Sequence, residues 1–457
     1  MKSITQDTQN DKKISASILT FFKKYRVSSA LKSANAYKSK GFSVIDIFRY
    51  LFCMIFTNRS MYMNMLMGKQ DAGVRKDAVY RLMNSLHINW IRFTTILTSR
   101  IIRDSIKDLT DEDRVNVLII DDSMFERASS KKVELLAKTY DHAKHAFKYG
   151  FRMLTLGWSD GNTFLPVNSV LLSTENKKNR INEAKAVDKR SAGFCRRALA
   201  QTKATTAMLE LLKTARKAEI PASYVLFDSW FTSPASLLAV HEIGYDVIAM
   251  AKKTPKMHYL YQEKMQSLPD IYKQNKKRRG RSRYLLSVEV EVCKDGQSIP
   301  ARVVYVRNRN KRKDYLCLIC TDMNLSEDEI IRNYGKRWDV EVFFKVCKSY
   351  LKLSKECQSL SYDAMTAHVA IVFTRYMMLA VENRQETDVR TLGEIFYYFS
   401  DELADISWIQ AFHLLMNVFL DTLSDKLSLT TKQLDELMDA FISALPKELT
   451  RCLPQTA

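Results

Sequence analysis

The 457-residue sequence predicts an α/β protein: a mixed sheet in the order βββαβ, a group of further strands inserted after it, and helical regions at both ends. Three observations predict this. Apolar runs of strand length start abruptly near residue 113. Spacing of helical period fills the chain before that point and again beyond residue 352. Finally, 46% of the residues are hydrophobic, enough for a sizeable core in a chain long enough for about three domains.

Residues 1–112 read as helical, with apolar side chains at helical spacing over 44–52 and 90–97. Between them, residues 74–82 place Arg75, Lys76 and Arg81 around a short helix, either an ordinary basic surface or a contact element for a polyanion. From 113 the pattern is that of strands: 115–121, 151–158 and 163–172, with Asp160-Gly161 as the hairpin turn between the last two. A helix over 204–218 and an apolar strand over 223–228 complete the βββαβ order. A helix over 234–243 and a strand over 247–251 follow. Strand candidates at 284–292, 301–306 and 315–320 form the inserted group, and a helix is expected over 334–348. Beyond it, stripes of Met, Phe and Leu suit a core or a surface for a second subunit. The resulting divisions are 1–112, 113–255, 256–324, 325–385 and 386–457.

Lys and Arg outnumber Asp and Glu by 71 to 51, a formal charge of +20. A polyanionic partner is the economical explanation, because Lys and Arg neutralise phosphates and release condensed counterions, and an anionic membrane surface is the competing one. Two basic runs sharpen this: residues 176–197, including Lys189 and Arg190, and residues 276–283, including Arg278, Arg279 and Arg281. Such runs are either solvated loops or phosphate contacts. Residues 1–13 are polar rather than a signal peptide, and the most apolar stretch, 365–381, contains His368 and Arg375, so a cytoplasmic protein without a membrane span is expected. The eight cysteines lack framework spacing, in keeping with reduced thiols. Cys317 and Cys320 lie three apart on a strand and point to opposite faces, and His142 and His145 have no further ligand beside them, so neither pair makes a case for zinc.

Three acids stand out. The strand run 115–121 ends in Asp121-Asp122-Ser123, and the run 223–228 ends in Asp228-Ser229-Trp230-Phe231. A carboxylate at a strand tip avoids burial inside the sheet yet is held by a rigid scaffold. The third acid lies on the helix over 334–348. Advancing about 100° per residue, Tyr334, Arg337, Glu341 and Lys348 share one narrow stripe beside an apolar face of Val340, Phe344 and Cys347. Hard divalent cations favour such oxygen ligands, and three acids can hold two ions about 3.5 to 4 Å apart. Taken singly, each acid is equally a turn or helix cap, or part of a solvated face.

The Tyr-x2-Arg-x3-Glu-x6-Lys stripe, with two Asp-ended strands before it, resembles the YREK class of insertion-sequence DDE transposases, an insertion sequence 4-like family. The resemblance covers residues 113–382 and is strongest over 334–348. It implies a ribonuclease H-like core with a β-strand insertion before the Glu helix. It implies that Asp121, Asp228 and Glu341 are the catalytic and metal-binding residues, holding two Mg²⁺ ions for which Mn²⁺ substitutes. Tyr334, Arg337, Lys345, Lys348, Trp230, Trp338, Arg278, Arg279, Arg281, Lys189 and Arg190 are then the DNA-contact candidates, with Trp230 or Trp338 stacking on a base flipped out as a terminal hairpin forms. Transposon terminal inverted repeats and target DNA are the implied partners, and a homodimer is the expected form in the DNA complex. The family's Asp-x-Ser/Thr pattern selects Asp121, whereas a strand one residue longer would select Asp122. The second motif departs from the family, with Trp230 and Ser233 where a small residue and an aromatic are usual.

Overall fold

A computed structural model describes residues 17–56, 61, 74–110, 114–141, 145–278, 282–308, 311, 314–384 and 433. The chain divides into two compact units, one of residues 16–55 and 59–396, the other of residues 1–15, 56–58 and 397–457. The elements described below lie in the first.

It opens with helices α1 (Val27–Ser33), α2 (Val44–Cys53), α3 (Lys76–Met83) and α4 (Trp90–Ile101). Ser43 caps α2 by accepting the backbone N–H of Asp46, and the helix buries Val44, Ile47, Phe48, Leu51 and Phe52 along one face. Arg75, Lys76 and Arg81 are all exposed around the start and outer face of α3.

The strands then follow as β1 (Val117–Glu126), β2 (Ala137–Asp141), β3 (Ala146–Ser159) and β4 (Phe164–Leu172). Helices α5 (Ala192–Ala200) and α6 (Ala204–Lys217) lead to β5 (Tyr224–Phe227), α7 (Pro234–Glu242) and β6 (Asp246–Ala251). The inserted group comprises β7 (His258–Tyr261), β8 (Lys264–Ser267), α8 (Leu268–Gln274), β9 (Tyr284–Lys294), β10 (Gln297–Arg307) and β11 (Tyr315–Cys320). Three helices close the described chain: α9 (Glu327–Gly335), α10 (Trp338–Ser349) and α11 (Tyr362–Asn383).

Among the described residues these strands form one sheet in the order β2-β3-β1-β5-β6-β11-β10-β9-β7-β8, with β4 also on β3. The strands β4, β3 and β1 run antiparallel, while β1, β5 and β6 run parallel. This mixed sheet with helices toward both ends of the chain is the ribonuclease H-like arrangement expected from βββαβ. The β3–β4 turn falls at Asp160-Gly161: Asp160 Oδ1 accepts the N–H groups of Asn162 and Thr163, and Gly161 takes a φ of 91° that an L side chain disfavours. Val117, Leu118, Ile119 and Ile120 are fully buried, each worth roughly 1.5 to 3 kcal/mol of hydrophobic stabilisation, and so anchor the strand that carries Asp121.

Several expectations are corrected. Strand β1 does not stop at its first acid; only its parallel pairing with β5 ends there, while the antiparallel ladder with β3 continues to Glu126↔Gly150. The helix over 334–348 is two helices, α9 and α10, joined through Lys336 and Arg337, where i→i−3 bonds such as Arg337 N–H to Tyr334 O tighten the turn. Part of the basic run 176–197 is the helix α5, and Arg196 and Arg197 are buried in ion pairs with Asp363 and Glu134 rather than free for phosphate. The inserted strands continue the core sheet itself, since β11 pairs directly with β6.

Helix α11 is long and apolar enough to cross a membrane, and it is buried inside this unit. Its Arg375 donates to Glu356 at 2.6 Å and to the carbonyls of Leu51 and Phe52, so the one cation in its middle is satisfied within the protein. The expectation for residues beyond 385 lies outside the described residues, as do His142, Arg279 and Arg281.

Candidate active site

The parallel pairing of β1 with β5 brings the first two acids together. Its last partners are Ile120 and Phe227, and Asp121 and Asp228 are the next residue on each strand. Neighbouring parallel strands lie about 4.8 Å apart, and residues in register point to the same face. Asp121 Oδ1 accepts the backbone N–H of Asp122 at 2.8 Å, and Asp228 Oδ1 accepts that of Trp230 at 2.9 Å. Burial pushes the Asp121 carboxyl up to about 7, against the opposing pull of Arg337, and burial likewise raises that of Asp228.

Helix α10 supplies the third acid. Its apolar side, Val340, Phe343, Phe344 and Cys347, is buried, which turns the Glu341 side toward β1. Arg337, at the start of α10, donates from Nη2 to Glu341 Oε1 at 2.5 Å and from Nη1 to Asp121 Oδ2 at 3.1 Å. Its charge also bears on Asp228. Two turns beyond Glu341, Lys348 Nζ donates to Ser123 Oγ at 2.5 Å. Burial raises the Tyr334 hydroxyl to about 12, while the Arg337 charge and a side-chain hydrogen bond with Arg337 oppose the shift. The stripe of Tyr334, Arg337, Glu341 and Lys348 therefore faces the strand-end acids despite the break between α9 and α10.

Asp122 points elsewhere. Arg152 of β3 grips it in a two-pronged ion pair, with Nε to Oδ2 and Nη2 to Oδ1 both at 2.7 Å. The same guanidinium lies over the Trp230 ring, 5.0 Å from its centre, and Lys252 Nζ lies 5.2 Å from that centre. Neither Arg152 nor Lys252 was anticipated from the sequence. A signal for Arg152 existed: it is a lone charge inside the apolar run 151–158, and a charge in such a place needs a partner.

The other candidates are dispersed. Trp230 is 48% exposed beside the acids, while Trp338 is 63% exposed at the start of α10, and Lys345 is exposed on that helix. Lys189 and Arg190 are exposed ahead of α5, where Arg190 pairs with Asp188, and Arg278 packs its guanidinium over Tyr284 of β9.

The three carboxylates suit hard divalent cations: the donors are oxygen only, and two of the acids are raised by burial, a strain that a cation would relieve. Among the described residues, no three Asp, Glu, His or Cys side chains are gathered closely enough to hold a metal. The Arg337 guanidinium reaches both Asp121 and Glu341.

A family profile described as DDE superfamily endonuclease matches residues 52–312, more than half of the sequence. The chain belongs to the DDE superfamily endonucleases. No curated protein matches it. The matched span contains Asp121 and Asp228 and ends before Glu341. Membership in the DDE superfamily carries with it DNA as the substrate and divalent-metal chemistry in general, and the strand ends and the α10 stripe are where this fold gathers acids and cations.

Proposed function

We propose that this DDE superfamily endonuclease is a transposase of the YREK class, cutting and joining the ends of a bacterial insertion sequence by phosphoryl transfer. The observation that carries the reading is the convergence of Asp121 and Asp228, neighbours on two parallel strands, with Glu341, which shares Arg337 with Asp121. Asp121, Asp228 and Glu341 would hold two Mg²⁺ ions, with Mn²⁺ substituting. When bound, such a pair activates the attacking oxygen and stabilises the leaving one.

The remaining residues of the site would handle DNA. Lys348 and Arg337 offer charge and donors to phosphate, and the Tyr334 hydroxyl can donate to a phosphate oxygen. Trp230, held at its base by Asp228, suits stacking on an unpaired base, and Trp338 is the second candidate. Lys345, Lys189, Arg190, Arg278, Arg279 and Arg281 would follow the backbone further out. In this reading residues 1–112 bind DNA, 113–255 and 325–385 form the catalytic core around an insertion at 256–324, and 386–457 form a helical extension. The working form is a homodimer on terminal inverted repeats and target DNA, in the cytoplasm.

The test uses a donor duplex carrying the inverted repeats that flank the coding region, a target plasmid and Mg²⁺. Cutting followed by joining supports the reading. Cutting without joining makes the protein a nuclease, and binding without cutting makes it a DNA-binding regulator. Glu341→Gln should abolish cleavage and leave DNA binding within a few-fold of wild type; a fully active variant removes Glu341 from the site.

A further inference from the structure

Arg337 occupies an unusual position for a residue expected to meet DNA. It sits in the tight turn between α9 and α10, its side chain is 18% exposed, and both of its terminal nitrogens are engaged by candidate metal ligands. Glu341 approaches from one turn along the same helix and Asp121 from the neighbouring strand. A guanidinium is a planar cation whose two outer nitrogens can each meet a separate carboxylate. It stays charged over the whole working range of pH.

The pocket needs a positive charge. Asp121, Asp228 and Glu341 lie where the β1–β5 pairing ends and α10 begins, and Arg152, whose charge also reaches Asp121 and Asp228, spends its two-pronged grip on Asp122. A partly desolvated acid without a counter-charge is costly. Arg337 meets that need for Asp121 and Glu341, and its charge reaches Asp228 as well.

We infer that Arg337 is the resident counter-cation of the DNA-free pocket, holding Asp121 and Glu341 by itself and thereby competing with divalent cations for the same oxygens. The inference rests on the reading of these acids as metal ligands. It explains why the described acids are not gathered into a three-ligand cluster while their chemistry suits one. A DNA phosphate offers the guanidinium a competing anion. Arrival of DNA therefore frees the acids, and metal loading is favoured where there is a phosphodiester to cut.

The test is Mn²⁺ binding to the full chain without DNA, followed by the free-ion electron paramagnetic resonance signal, for the wild type, Arg337→Gln and Arg337→Lys. Removing the competitor should tighten Mn²⁺ binding by about tenfold or more, within the usual span of such couplings. Arg337→Lys, which keeps the charge but offers a single point of contact, should lie between. Thermal unfolding provides a second readout: Mn²⁺ should raise the Tm of Arg337→Gln more than that of the wild type. A merely structural Arg337 predicts equal or weaker binding in the variants, and that result overturns the inference while leaving the ligand assignment intact. If Asp121→Asn and Glu341→Gln bind Mn²⁺ as the wild type does, or if none of the proteins binds it, the ligand assignment itself fails and the inference fails with it.

Discussion

Asp121→Asn should make the metal-free protein more stable, and increasingly so as pH rises. Burial lifts the Asp121 carboxyl from 3.8 to about 7 even with Arg337 beside it. A carboxyl raised in the folded state contributes its full stability below about pH 4, and that contribution is lost as pH climbs toward about 7. At about 1.36 kcal/mol per unit, the loss approaches about 4 kcal/mol above pH 7, of which about 1.5 is already lost at pH 5. Asn carries no charge at either pH. The advantage of the variant should therefore widen by about 3 kcal/mol between pH 5 and pH 8. Urea unfolding followed by circular dichroism, in EDTA at the two pH values, measures it. Saturating Mg²⁺ at pH 8 should then reverse the order, because only the wild type keeps its full ligand set. An advantage that is the same at both pH values, or a variant less stable than wild type at pH 8 in EDTA, refutes the view that Asp121 is strained by burial.

Two further outcomes are expected. Lys348→Ala should weaken DNA binding and reduce the slope of log affinity against log salt by about one, measured by fluorescence anisotropy over a salt series; an unchanged slope would mean that Lys348 serves only to hold Ser123. Glu134→Gln, remote from the acids, should destabilise the fold by about 3 kcal/mol in urea, because Arg197 is buried between Glu134 and Asp363 and would keep one partner of two. A change under 1 kcal/mol would show that Asp363 alone satisfies Arg197.

The acids were legible because their surroundings are regular. Apolar runs that lead into Asp121 and Asp228 mark two strands, and a polar stripe lies beside the buried Val340 and Phe344, but it took the family resemblance to join the three acids into one candidate site. Strands β9, β10 and β11 were visible for the same reason. Strand β2 and the β7–β8 hairpin were not, since they are short and their polar residues leave little alternation to read. The break at Lys336 and Arg337 carries only a faint sequence mark, Gly335 at the end of α9: both residues keep right-handed helical angles, and tightened hydrogen bonds separate α9 from α10. Partnership across the fold was the least legible. Arg196 and Arg197 look like part of a basic loop until Asp363 and Glu134, far away in sequence, arrive beside them, and the choice between Asp121 and Asp122 waits on Arg152 of a different strand.

The ladder between β6 and β11 makes the inserted strands and the core a single plank. The chain leaves that plank at Cys320 and within a few residues enters α9, capped by Ser326 and Glu329, and then α10. Past the seam the chain returns to the core: Phe343 of α10 packs on Phe164 of β4 and on Phe373 and Tyr376 of α11, so the third carboxylate is carried by the same packing that holds β1.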